Sequence, residues 1–197
     1  MGYVRRVIGG QELRGYEEVV ELFVKEEQYH AELLGRLLDY LGGERLRKQW
    51  SNSVFRWMRN QLGLEFNIQI LLTAELIAEA YYGLLHRRGG DPVLRACCHK
   101  ILRDEMRHIA FHAEFFRERL AGQPPWWRLL WRTQFRFCHA AVCLVVALDH
   151  RDCFKALGTS IPDFLKQALG PGRRFLRRLE RPYSLGTTRP LNLQPVD

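Results

Sequence analysis

Glu26-Glu27-Gln28-Tyr29-His30-Ala31-Glu32-Leu33-Leu34 and Asp104-Glu105-Met106-Arg107-His108-Ile109-Ala110-Phe111 decide how this chain is read. Each holds a glutamate three residues before a histidine, and these are the two places where that spacing occurs. With 15 glutamates and 7 histidines in 197 residues, chance supplies roughly half of one such pair. The spacing therefore counts for little until its setting is known. Positions i and i+3 of an α-helix project from one face, so on a helix each pair offers a carboxylate and an imidazole to one point.

The setting is helical on both sides. Gly9-Gly10 opens a segment that closes at Gly42-Gly43, and between them Val19, Leu22, Phe23, Leu33, Leu34, Leu37 and Leu41 recur at three- and four-residue steps. Such a stripe predicts an amphipathic helix over about 11–41. A second helix is expected over 44–60 and a third over 64–86, nearly apolar through Ile68–Ala80. Gly89-Gly90-Asp91-Pro92 reads as a stop and a restart: glycines end one helix, Asp91 caps the next and Pro92 fits its first turn. That helix runs to about Leu120, where Gly122 to Pro125 interrupts it. Another follows to about Leu157, and a short one between Ser160 and Gly170. No strand-like alternation, hairpin signal or internal repeat is present. The expected class is all-α, with metal-binding helices over 11–121, C-terminal helices packing on them over 122–170, and a basic tail over 171–197.

The helix between the two pairs carries Leu71-Leu72-Thr73-Ala74-Glu75-Leu76-Ile77-Ala78-Glu79-Ala80. An unpartnered carboxylate in such apolar company is costly, so Glu75 calls for a metal, a cation or a proton. Carboxylates and imidazoles from three helices suit iron(II) or manganese(II), and a bridging carboxylate can hold two such ions close together. In that scheme Glu27 and Glu105 bridge, His30 and His108 each cap one ion, and Glu75 is a terminal ligand. Glu79, one turn on, is a second or alternative one. His112 is an extra ligand or a residue that supports one. Taken singly, each group has an ordinary alternative: a solvated Glu27/His30 pair, ion pairs from Glu105 to Arg103 or Arg107, an arginine partner for Glu75. The joint occurrence favours the metal.

These two stretches resemble the ligand helices of the ferritin-like di-iron carboxylate superfamily, whose oxygenase, oxidase and rubrerythrin-type members typically carry Asp-Glu-x-Arg-His. The separations are similar as well, 48 positions from Glu27 to Glu75 and 30 more to Glu105. The resemblance covers about 11–120. It implies a helical bundle with a non-haem centre of two iron ions, or manganese, that activates dioxygen or peroxide to oxidise a substrate, with an electron donor. Glu27, His30, Glu75, Glu105 and His108 would then act through bound metal.

The chain departs from that template in one respect: a preceding helix should supply a lone glutamate. Glu17 is ten residues from Glu27 on the same helix, roughly 15 Å up its axis, and cannot share the ions. A further helix outside this sequence, a partner chain such as a second copy, or a later helix offering Asp149, His150 or Asp152 would each fill the gap. Ile101 also stands where an N-oxygenase subgroup carries an added histidine.

Bulk properties narrow the field. The length suits one domain with a real core, and 47% hydrophobic with 26% charged residues is a globular composition. Five cysteines, odd in number and without zinc-ribbon spacing, point to reduced thiols and a cytoplasmic protein. The longest purely apolar run, Ala140–Leu148, is too short to span a bilayer. The net charge of +8 gathers late, with six arginines from Pro171 onward; a solvated terminus and an attraction to nucleic acid or anionic lipid both account for it. In 124–137, Arg128, Arg132 and Arg136 form one stripe and Trp127, Trp131 and Phe135 its neighbour. That helix either packs its aromatics on the bundle or lies at a membrane surface, with stacking on single-stranded nucleic acid a weaker reading. Tyr29, Tyr81 and Tyr82 fall near the ligands as core residues or redox-active ones.

The expected function is a di-iron oxygenase or oxidase acting on a largely hydrophobic small molecule, in a cavity lined by Phe23, Leu72, Ile109 and the run after Ala140. Two other classes stand beside it: a non-catalytic ferritin-like protein with an incomplete or structural metal site, and a helical adaptor for membrane or nucleic acid.

Overall fold

A computed structural model describes residues 14–44 and 64–180; the helix expected over 44–60 falls mostly outside them. Among the described residues the chain is helical, without strands: α1 (Arg14–Tyr40), α2 (Leu64–Arg88), α3 (Pro92–Ala121), α4 (Pro125–Asp149), α5 (Arg151–Ala156) and α6 (Ile161–Glu180). The all-α reading holds. Asp91 caps α3 as its sequence suggests, its Oδ1 accepting from the Leu94 amide at 2.8 Å with Pro92 in the first turn.

α2 is the central rod, packed on α3, α6 and α4. Its apolar residues run round most of its circumference, which a helix surrounded by neighbours requires. By length and composition it is long and apolar enough to cross a membrane, but over half of its most apolar window is buried inside the bundle. Two continuous cores flank it. One gathers Ile77, Ala80 and Leu84 with Val142, Ala147, Phe154 and Phe164. The other gathers Leu72, Leu76, Ile109, Phe116, Phe135 and Phe175. Leu72 and Ile109, two of the residues expected to line a substrate pocket, are buried in this second core. α1 packs on α3.

The C-terminal helices differ from the sequence expectation in two places. The helix expected to reach Leu157 breaks at His150, and α5 follows as a separate turn. Gly158, at φ 61°, then swings the chain into α6, a left-handed backbone that glycine adopts without cost. Arg88 at the end of α2 ties this corner down through the Leu157 and Gly158 carbonyls at 3.0 and 2.6 Å. The second difference is larger: the helix expected to stop near Gly170 continues through Pro171 to Glu180. An internal proline costs about 3 kcal/mol. Burying Phe175 and Leu176, 2% and 3% exposed, returns roughly 1.5–3 kcal/mol each. The balance favours continuation, so the first turns of the expected basic tail belong to the core.

Gly172 makes that continuation possible. A Cβ there would lie 2.5 Å from His139 Cδ2 and 2.7 Å from its Nε2. That imidazole is fixed, buried and bonded to the Ala168 carbonyl at 3.1 Å. Gly172→Ala is therefore expected to destabilise the protein by about 1–3 kcal/mol, seen as a melting temperature lower by roughly 2–4 °C per kcal/mol. An unchanged melting curve would mean that α6 does not approach α4 this closely.

Candidate metal centre

α3 buries Ile101, Asp104, Glu105, His108, Ile109 and His112, steps of three and four that mark a single face. The polar members of that face meet α1 and α2. Glu27, His30 and Glu105 form one group whose ligand atoms lie within 4.8 Å of one another, and Glu75, Glu105 and His108 form another. Glu105 belongs to both. All five expected ligands are thus brought together, from three helices.

The distances have the character of a coordination sphere. His30 Nδ1 stands 3.5 Å from Glu105 Oε1 and 3.9 Å from Glu27 Oε1. His108 Nδ1 stands 3.4 Å from Glu105 Oε2, 3.5 Å from Glu27 Oε1 and 3.9 Å from Glu75 Oε1. These exceed the usual hydrogen-bond separation of about 2.7–3.2 Å. Two ligands each about 2.1 Å from one ion stand roughly 3.0–3.5 Å apart. Glu27 Oε1 lies near both imidazoles, as the two oxygens of Glu105 do.

Unsatisfied polar atoms supply a second test. His30 Nδ1, His108 Nδ1, His112 Nδ1, Glu75 Oε2 and Glu105 Oε2 are buried without a hydrogen-bond partner. A buried polar atom left unpaired costs about 1–3 kcal/mol. Four of the five, on His30, His108, Glu75 and Glu105, belong to the two ligand groups; they need a common explanation, and a cation between them is the simplest. The residues present fit a metal.

The outward-facing nitrogens are held. His30 Nε2 lies 3.0 Å from Asp104 Oδ2, and His108 Nε2 lies 3.0 Å from Glu26 Oε2. Lys100 and Arg107 neutralise Asp104, and Arg107 also reaches Glu26. A carboxylate on one imidazole nitrogen fixes the tautomer and aims the other nitrogen's lone pair inward. Sequence reasoning assigned no role to Glu26 or Asp104. The signal was adjacency: each immediately precedes a ligand glutamate, so it lies about 100° further round the helix, next to the imidazole of the other pair.

The electrostatics agree. Burial pulls the His30 imidazole down, but Glu105 and Asp104 outweigh it and hold its pKa at about 9. Burial likewise opposes His108, and Glu105 with Glu26 raises it to about 9. Burial, then the charge of Glu105, pushes the Glu75 carboxyl well above the usual range. Burial works against ionising Glu105, but the neighbouring His108 and His30 imidazoles hold its pKa below normal. His112, lowered to about 4 by burial and by His108, lies with Nε2 3.0 Å from Glu75 Oε1, the position of a residue that supports a ligand. Without metal, protons stand where cations would.

Other candidates fall elsewhere. Glu79 pairs with Arg174 and belongs to neither group. Asp149, His150 and Asp152 also stand outside both; His150 packs on Tyr81 and Phe154, and Asp152 is exposed. Among the described residues no later helix replaces the lone glutamate of the template. Tyr29 is 48% exposed, and Tyr81 turns to Cys153, its hydroxyl 3.5 Å from Sγ. Tyr82 is nearest in effect, its phenol pushed up by burial and by Glu105. Phe23 is half-buried and lays its ring on His108, centroids 4.3 Å apart. Of the aromatic stripe of α4, Phe135 is buried, Trp131 is half-buried and Trp127 is 40% exposed, while Arg128 and Arg136 face water and Arg132 meets Glu180. The five cysteines are free thiols.

No family model, no curated protein and no solved structure matches this chain.

Proposed function

We propose that the chain is a ferritin-like di-iron carboxylate protein, an oxygenase or oxidase that uses dioxygen on a largely hydrophobic small molecule. The observation that carries this reading is the pair of inward-facing Nδ1 atoms on His30 and His108, without hydrogen-bond partners and sharing Glu105 between them. Three carboxylates and two imidazoles, with no thiolate, are a donor set for iron or manganese. A bound iron pair supplies electrons and open coordination positions for dioxygen.

The chain's own residues do the rest. Asp104 and Glu26 keep the Nε2 protons of His30 and His108 in place, so both Nδ1 atoms remain available. Lys100 and Arg107 spread the negative charge that five neighbouring carboxylates create. Glu75 and His112 share a proton position between Oε1 and Nε2. Glu27 is 45% exposed whereas His30, Glu105, His108 and Glu75 are buried, so the centre meets solvent on the α1 side. A substrate approaches there, past Phe23.

Anaerobic titration with Fe(II) tests the proposal. Two equivalents per chain are expected to bind, and exposure to air is expected to consume dioxygen with a rise in near-ultraviolet absorption. Binding of less than one equivalent, or no oxygen uptake, would overturn it. A structural role for the metal is favoured by the five-ligand set, one carboxylate short of the template. It predicts a large fall in melting temperature with chelator and no oxygen consumption.

A further inference from the structure

The outer face of α4 takes no part in the metal centre, and nothing among the described residues covers it. Trp126, Leu130, Phe137, Leu144 and Leu148 are 64%, 53%, 75%, 47% and 51% exposed, along with Thr133 and Ala141. Their spacing is 4, 3, 4, 4, 3, 4, a seam about 33 Å long on one side of the helix. The opposite side, Phe135, His139, Val142, Cys143 and Ala147, is buried in the bundle. No charged residue lies on the seam.

That spacing reads the same from either end, with Phe137 at its middle. When a second α4 is laid antiparallel on a two-fold axis through Phe137, each large residue meets an apolar counterpart: Trp126 meets Leu148, Leu130 meets Leu144, Thr133 meets Ala141 and Phe137 meets itself. A two-fold interface demands this property, because one patch must complement its own rotated copy. We propose that the chain forms a homodimer through α4, antiparallel to its counterpart and centred on Phe137.

Size, charge and direction support a second copy as the occupant. At roughly 150–250 Å² per aromatic side chain, Trp126 and Phe137 alone leave about 300 Å² in water. The three leucines of the seam, with Leu129 and Trp127 on its flanks, bring the face to the order of 800 Å². The largest apolar patch on an ordinary monomer is about 300–600 Å², and a stable interface buries about 800 Å² per partner. Antiparallel pairing also sets the positive end of each helix dipole beside the negative end of the other. A membrane surface would want basic side chains flanking the apolar face. Here Arg132 pairs with Glu180 of α6, Arg128 and Arg136 face water on one side of the helix, and the other flank, with Trp127, Gln134 and Val145, carries no basic residue. The pairing is independent of the metal: α4 packs on α2 and α6, whereas α1 packs on α3, so the solvent-facing side of the centre stays open.

Sedimentation equilibrium of the full chain, 23.2 kDa as a monomer, should give twice that mass, and Phe137→Glu should return it to one copy. Phe137 is mostly in water, so the variant's circular dichroism and melting before dissociation report that the fold is intact. Cross-linking with a short bis-maleimide fixes the axis. Phe137→Cys should join to itself, Leu130→Cys should join to Leu144→Cys in a mixture, and Leu130→Cys alone should match the unsubstituted chain. A monomer at 100 µM, a dimer that survives Phe137→Glu, or Leu130→Cys that joins to itself overturns the proposal. So does a monomer that floats with vesicles of phosphatidylcholine and phosphatidylglycerol, which would assign the seam to a lipid surface.

Discussion

Replacing Glu105 by alanine is expected to abolish tight binding of both metal ions, with the apparent affinity falling at least 100-fold and oxygen consumption lost with it. The argument rests on position. Glu105 is the single residue common to both ligand groups, its two oxygens facing His30 Nδ1 at 3.5 Å and His108 Nδ1 at 3.4 Å. In the two-ion centre proposed above, removing it would take one ligand from each ion, whereas loss of a residue that merely supports a ligand costs about 10–100-fold. The fold should survive, since the stripe of α3 keeps Ile101, Ile109 and Phe116 in place. Glu79→Ala is the matched control: it removes the same carboxylate from a position one turn past Glu75, where the partner is Arg174. Titration with Co(II), followed by its visible absorption, should show two equivalents for the parent and for Glu79→Ala, and none held tightly by Glu105→Ala. Two tightly held ions in Glu105→Ala would mean that the ligands converge somewhere else.

The course of the helices was legible because glycine and proline punctuate the chain where apolar periodicity stops. Asp91-Pro92 is the clearest instance, both residues performing the local chemistry their types suggest. Pro171 misled for the same reason. A local rule says that a helix ends near such a residue, and only the distant surface of Phe116 and Phe135, which receives Phe175, outweighs it. His150 is the opposite case: no strong breaker marks the end of α4 there, so the break was invisible. At the site, spacing of three within two helices and an apolar setting for Glu75 sufficed to name five converging residues. Glu26 and Asp104 were not legible, because what they do depends on how α1 faces α3, which no local pattern encodes. The exposed seam of α4 was hidden for a related reason. Several phases of that helix are apolar, and only the packed bundle shows which one is left over.

Metal affinity is expected to rise steeply with pH between about 6.5 and 9, and the melting temperature of the metal-free protein to fall over the same interval. His30 and His108 have folded-state values of about 9 against an ordinary imidazole near 6.5. A group whose pKa is raised by folding contributes stability that is complete below its unfolded value and is lost as pH climbs through its folded one. Glu75, raised well above its ordinary range, has the same sign. All three therefore hold protons in the metal-free site, and those protons screen the crowded carboxylates from one another. Metal must displace them, so below pH 9 the affinity should drop by about tenfold per unit for each histidine that gives up a proton. The loaded protein, with cations in place of protons, should melt at nearly constant temperature across the interval. The gap between loaded and metal-free forms then widens as pH rises. Competition against a chromophoric chelator at pH 6.5, 7.5 and 8.5, with parallel melts, measures both slopes. Flat affinity together with a metal-free melting temperature that climbs with pH would show that His30 and His108 carry no protons there, and that their Nδ1 atoms do not compete with metal for the same carboxylates.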